Sequence, residues 1–192
     1  VFVDSVSELL TDHPINGSYR GEGREAQPGR DEETCSLAPV AESVASLSHL
    51  IRYDGVDCGS CLSIYTNRMQ GRVAVASYSP WKALGVAGKR RQLLAVVDWL
   101  ASGRLPVIIE ENVRVAPFVR RSPDGRRIAI VLMNLGLDPT GPLTMRVRAR
   151  PEHMSLVTPR GETRLPLRAG EKEVTVAAPS IPAWNTAILV SS

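Results

Sequence analysis

Aromatic side chains are scarce in this chain, at 5% of 192 residues, and that thin supply removes whole classes of function. Base-stacking surfaces for nucleic acid need rows of rings that are absent here. Three cysteines (Cys35, Cys58 and Cys61) are too few for a disulfide framework. The three histidines, His13, His49 and His153, stand in no nucleophile-elbow context, and no G-x-S-x-G occurs. Gly85-x-x-Gly88 falls short of both the lysine placement and the spacing of a phosphate-binding loop. No apolar run approaches the ~20 residues that span a membrane. The opening VFVDSVSELL has no basic stretch ahead of a long apolar one, so it is no secretion signal. It also begins on Val, which fits a fragment or a processed chain, and the compartment is not readable.

Paired catalytic acids are equally hard to find. Glycoside hydrolysis needs two carboxyl groups about 5–10 Å apart across the scissile bond. Asp31-Glu32-Glu33 lies in a polar run, where adjacent acids point in different directions and are solvated. Glu110-Glu111 sits where two kinds of sequence grammar meet and has arginines to pair with. Neither forms a catalytic set.

What is present is a charge split and a change of period. Residues 1–70 carry 5 basic and 11 acidic side chains, whereas residues 71–192 carry 18 and 9, giving −6 and +9 and the net +3. The basic residues of the second segment are spread singly along strand positions (Arg146, Arg148, Arg150) and through turns (Arg126, Arg127). That reads as a solvated sheet face, not a nucleic-acid surface. A content of 43% hydrophobic residues suffices for a core.

The stretch Gly71–Ile109 reads strand, loop, helix, strand. Arg72–Ser77 alternates as a buried strand, and Leu93, Val96, Val97 and Leu100 mark one face of a helix over Lys89–Ser102. Its basic start, Lys89-Arg90-Arg91, is at the wrong end for the helix dipole, so packing has to hold it. Gly103 is the expected C-cap, and Leu105–Ile109 the second strand. Upstream, 18–34 is a long polar loop, and Leu37, Val40, Val44, Leu47 and Leu50 have the rhythm of an amphipathic helix. From Val113 onward the period is two, with turn chemistry in every gap. Ser122-Pro-Asp-Gly125 is a hairpin signal. The expected architecture is therefore α/β followed by all-β: a partial open α/β layer plus a small antiparallel β-sandwich. Residues 1–110 form the partial α/β domain with its polar loop, and residues 111–192 the sandwich.

Candidate ligand residues fall in two loops. Asp12-His13-Pro14-Ile15-Asn16-Gly17 gathers polar side chains in a turn, and Tyr78-Ser79-Pro80-Trp81 follows a strand end, where open α/β sheets bind ligands. Asp12, His13, Asn16, Tyr78 and Trp81 are the candidates, the two rings as stacking surfaces for a sugar. The plainer alternative is that Trp81 plugs an internal interface and Asp12 caps a turn. Cys58-Gly-Ser-Cys61 has C-x-x-C spacing, but a zinc site needs two further ligands and a redox pair needs a helix start. Incidental thiols are expected, with no metal and no cofactor.

Gly71-Arg-Val-Ala-Val-Ala-Ser-Tyr-Ser-Pro-Trp81, Arg91-Gln92, Asp98-Trp99-Leu100 and Gly103-Arg-Leu-Pro106 resemble the C-terminal part of large bacterial β-galactosidase-type glycoside hydrolase-like proteins. Ile128–Asp138 and Ile181-Pro-Ala-Trp-Asn185 resemble their terminal sandwich. The resemblance implies a flavodoxin-like or glutamine-amidotransferase-like α/β domain before that sandwich. The α/β domain is associated with oligomerisation, and the catalytic glutamates sit on a barrel that this chain lacks. The domain ordinarily has five or more strands, and here its first half is missing or irregular. The implied role is a non-catalytic accessory region of a hydrolase, its partners being the remainder of the parent polypeptide or its oligomer. The alternative is a carbohydrate-binding module using Tyr78, Trp81 and the Asp12–Asn16 loop. Neither nucleic acid nor a membrane is an expected partner.

Overall fold

Strand-forming chemistry dominates both halves of the chain. The computed structural model describes residues 6–19, 35–41, 43–124, 126–149, 151–171 and 173–191. Among these lie thirteen strands and one α-helix. The chain divides into two compact units, Val1–Gly103 and Arg104–Ser192. No helix among the described residues is long and apolar enough to cross a membrane.

In the first unit β1 (Val6–Leu10), β2 (Ala45–Arg52), β3 (Asp57–Thr66) and β4 (Arg72–Ala76) form a sheet in the order β1-β2-β3-β4, each neighbouring pair antiparallel. Short turns close the hairpins. Gly55 takes φ 84 between β2 and β3, a conformation open to glycine at no steric cost. One sheet face is covered by α1 (Ala87–Leu100) and by a 3-10 turn at Pro14–Tyr19. Its core is Leu47, Leu62, Ile64 and Val96, with Ile15, Ala45, Ala74, Ala76 and Trp99 packed around it.

The expected partial open α/β layer is not formed. All four strands of the sheet run antiparallel, and β4 is an edge strand, only partly covered, instead of the buried strand its alternation implied. The strand after the helix, β5 (Val107–Ile109), pairs antiparallel with a strand of the second unit. A strand–helix–strand string reads the same in either case, because the pattern records burial and not the partner a strand selects. The helix expected over 37–50 is likewise replaced. Leu37 makes a single bridge to Ser60, and β2 begins at Ala45. The reason is a run of register shifts between Ser46 and Ile51. Extra residues at such bulges turn a spacing of two into three, so Leu47 and Leu50 imitate a helical face. The polar run from 20 to 34, including Asp31-Glu32-Glu33, lies outside the described residues.

The helix over the second half of Gly71–Ile109 does form, and its C-terminus is a Schellman motif. The Gly103 amide donates to Asp98 O at 2.8 Å and the Ser102 amide to Trp99 O at 2.9 Å. Ser102, at φ 57, takes the first left-handed position, one residue before the glycine.

The second unit is a sandwich of two antiparallel sheets. One has the order β10-β9-β13-β7-β6: β6 (Val115–Arg121), β7 (Ile128–Asn134), β9 (Met154–Thr158), β10 (Gly161–Arg164) and β13 (Thr186–Ser191). The other has the order β11-β12-β8-β5, with β8 (Leu143–Val147), β11 (Leu167–Ala169) and β12 (Val174–Ala178). Alternation delivers Ile128, Ile130 and Leu132 from one sheet and Met145, Val147 and Val176 from the other into a shared core. The SPDG segment joins β6 to β7, where the Ser122 amide donates to Arg127 O at 2.9 Å. On the outer side of β8, Arg146 pairs with Glu110 and Glu173, and the Thr144 amide donates to the Glu111 carboxylate at 2.9 Å.

Candidate functional site

Apolar packing in the first unit gives way at one end of α1 to a closed polar network. Glu8, in the middle of β1, and Lys89, in the first turn of α1, are 2% and 1% exposed and meet at 2.6 Å. The carboxylate is fully engaged: Oε1 accepts from Lys89 and from the Ser48 hydroxyl, and Oε2 accepts from the Tyr78 hydroxyl at 2.6 Å. Lys89 also donates to Gln92 Oε1 at 2.7 Å and stands 5.1 Å from the centre of the Tyr78 ring. Gln92 in turn donates to Asn16 Oδ1 at 2.9 Å, and the Asn16 amide donates to Thr11 O and Leu47 O, both at 2.8 Å. A buried charge is tolerated only when paired and hydrogen-bonded in this way. The buried side of α1 is therefore polar at its start (Lys89, Gln92) and apolar further on (Val96, Trp99).

This arrangement also answers the basic helix start. Glu8 sets a carboxylate beside the first turn, and Arg72 of β4 places its guanidinium on Trp99 O and over the Trp99 ring, 5.1 Å from the centroid. Charges borrowed from two strands thus complement the dipole at both ends.

Cys61 borders the network, its sulfur 3.3 Å from Ser48 Oγ. The single Ser48 proton goes to Glu8, so the thiol is the donor. Burial, with the Glu8 charge adding to it, pushes the Cys61 thiol up to about 12. It is neither a nucleophile nor a ready metal ligand at neutral pH. Cys58 and Cys61 are both free and pack with Leu50 and Tyr78. Among the described residues no group of three or more His, Cys, Asp or Glu side chains is placed to hold a metal ion.

Of the five candidate ligand residues, the network brings two together. Asn16 is fully buried and Tyr78 half-buried, and their polar atoms are bonded to protein groups. Asp12 is exposed, and His13 is half-buried with Nδ1 accepting the Ile15 amide at 3.2 Å. Trp81 lies on a 3-10 turn at Pro80–Ala83 and is 62% exposed.

No protein-family model matches the chain. No curated protein matches it in sequence. Among solved structures, α-L-fucosidase isoenzyme 2 from Paenibacillus thiaminolyticus aligns with a TM-score of 0.62 at 10% identity, over 98% of this chain and 32% of that one. The two share a fold. This chain spans about a third of that fucosidase's length. Weaker likenesses are found in the β-galactosidases of Rahnella sp. R3 (TM-score 0.45, 14% identity, 96% of this chain and 21% of that one) and Bacillus circulans sp. alkalophilus (TM-score 0.36, 17% identity, 79% and 18%). The likeness at 0.62 belongs to a glycoside hydrolase, whereas the antiparallel first sheet gives no support to a flavodoxin-like layer.

Sequence reasoning passed over Glu8, Ser48, Lys89 and Gln92. The signal was present: Glu8 is a lone acid inside the strand VSELL, and Lys89 lies four and seven residues before Leu93 and Val96, on the helix's apolar side.

A second set of residues ties down a loop of the sandwich. Asn134, buried at the end of β7, donates to Asp138 O, Ile181 O and Pro182 O at 2.9–3.1 Å and accepts the Gly136 amide at 2.8 Å. The loop it holds carries Trp184, which is 68% exposed at φ 56. Left-handed backbone is a genuine outlier for so bulky a residue.

Proposed function

We propose that this chain is a non-catalytic accessory region of a bacterial glycoside hydrolase-like protein, supporting domain packing or oligomer contacts. The observation that carries the reading is Trp184. A tryptophan displayed on the surface in strained backbone, on a loop pinned by a buried asparagine, costs energy that is recovered when the ring is covered. The neighbouring loop adds exposed Leu135 and Leu137. The fold shared with a fucosidase region favours a hydrolase-like parent. The acid–base groups of the Glu8–Lys89 network favour a non-catalytic role for the chain itself, being closed off from solvent and consumed by one another. The purified chain is expected to release no nitrophenol from nitrophenyl fucosides and galactosides. Turnover that survives repurification would sink the reading.

The exposure of Trp81 favours a second reading, in which the loop with Tyr78 and Trp81 captures carbohydrate. Titration with galactosides and xylans should then shift the tryptophan emission of the wild type and not of Trp81→Ala. An identical response from both removes it.

A further inference from the structure

The outer face of the five-stranded sheet carries a combination that the accessory role does not require. Strand alternation turns Phe118, Arg120, Ala129, Val131, Ile188 and Val190 outward, away from the core residues of β6, β7 and β13. Register then aligns them in two rows. Phe118 lies opposite Val131, which lies opposite Ile188 and then Val157. The next row is Arg120, Ala129, Val190, Ser155 and Arg164. A ring, 57% exposed, thus stands two residues from an arginine on the same face, beside a floor of small apolar side chains.

At the Arg120 end the rim of the sheet opens into a groove of about 330 Å³ whose lining includes Arg120, Ala129 and Val190 from the outer face, Arg127 beside them, and Arg121 and Ser191 from the opposite side of their strands. Arg121 is fixed by donating to Arg148 O at 2.6 Å, and Arg127 has Asp124 as a charge neighbour. The Arg120 side chain has no hydrogen bond or ion pair among the described residues. Asp124 is itself held below the usual carboxylate range by the Ser122 hydroxyl and the Arg126 amide. Among the described residues the face also carries the acid Glu162, at the far edge on β10 opposite Val157.

We infer that this face is a binding platform for an anionic sugar chain of the uronate type. The chemistry fits on each count. Guanidinium groups match a planar carboxylate two bonds at a time. An exposed ring offers its face to the C–H side of a pyranose, and a floor of Ala and Val leaves room for a flat ring to lie down. A bare inorganic anion would use the arginines and leave Phe118 idle. This site is built from residues of the second unit alone, and its failure leaves the accessory role untouched.

Affinity electrophoresis of the purified chain in gels containing polygalacturonate or neutral galactan tests the inference. Retardation is expected with polygalacturonate alone. Arg120→Gln and Arg127→Gln should each weaken it about tenfold, the loss of a charge-assisted bond pair, and Phe118→Ala by a similar factor. All three positions are exposed, and unchanged circular dichroism will show that the variants fold. Arg168→Gln, on β11 of the other sheet, should bind as the wild type does. Absence of retardation overturns the inference, as does an equal loss in Arg168→Gln, which would mean general attraction to a basic protein. Displacement by inorganic phosphate with Phe118→Ala unaffected would also overturn it, leaving an anion site with no sugar.

Discussion

Glu8 and Lys89 have little value apart. Removing one member of a buried pair strands the other charge without solvent, at a cost of about 3–5 kcal/mol, whereas replacing both by apolar groups of like volume is often neutral. Lys89→Met and Glu8→Leu should therefore each lower the urea midpoint strongly. The double variant should lose less than the sum of the two, short of full recovery because Ser48, Tyr78 and Gln92 still lose a partner. Single effects that simply add would show that the two groups are not coupled. Cys61 gives a second test, this time against pH. Its folded value near 12 lies above the ordinary 9.0, so the folded chain holds a proton that the unfolded chain releases. The stability this contributes is complete below pH 9 and is lost as pH rises toward 12, with a slope of about 1.4 kcal/mol per unit. Denaturation of wild type and Cys61→Ala across pH 8.5–11 should show the extra slope in the wild type alone. Iodoacetamide at pH 8 should label the exposed Cys35 and reach Cys61 only on unfolding.

At the scale of the element, α1 was legible and its surroundings were not. Leu93, Val96 and the Schellman terminus follow from residue type, but that Ser102 turns left-handed as well as Gly103 does not. Ser102 carries that strain although Gly103 is next to it. Ser102→Gly should raise the melting temperature, by about 1 kcal/mol in stability, because glycine meets φ 57 without a Cβ clash. An unchanged or lower melting point would mean the serine is held there by something other than backbone geometry. Strands of the sandwich such as β7 were readable because they lie between turns and keep one face inward, with Ile128, Ile130 and Leu132 buried at alternate positions. β2 was misread because register shifts broke its period, and β5 because pairing depends on strands elsewhere in the chain. Asn16 and Tyr78 could be singled out from composition and loop position. That they face inward depends on Gln92 and Glu8, which belong to other elements.

For the molecule as a whole, surface strain is the readable sign of unmet contacts. Trp184→Gly should stabilise the isolated chain by about 1 kcal/mol, since a left-handed glycine costs nothing there and the ring is mostly in water. Trp184→Ala keeps the backbone penalty and should give no such gain, and equal melting points for the two variants would place the effect in the ring and not in the backbone. The Glu8–Lys89 pair has a consequence for the order in which the first unit assembles. Its members are separated by 81 positions, whereas the hairpins β2–β3 and β3–β4 join neighbouring segments. On a growing chain, Glu8 leaves the ribosome long before its partner exists and has to stay hydrated. The hairpins can close early, at small entropic cost, while β1 or α1 docking alone buries a charge without its partner and so offsets its own ladder or apolar contacts. The pair thus couples the docking of a strand and a helix, each bringing the charge that lets the other leave water.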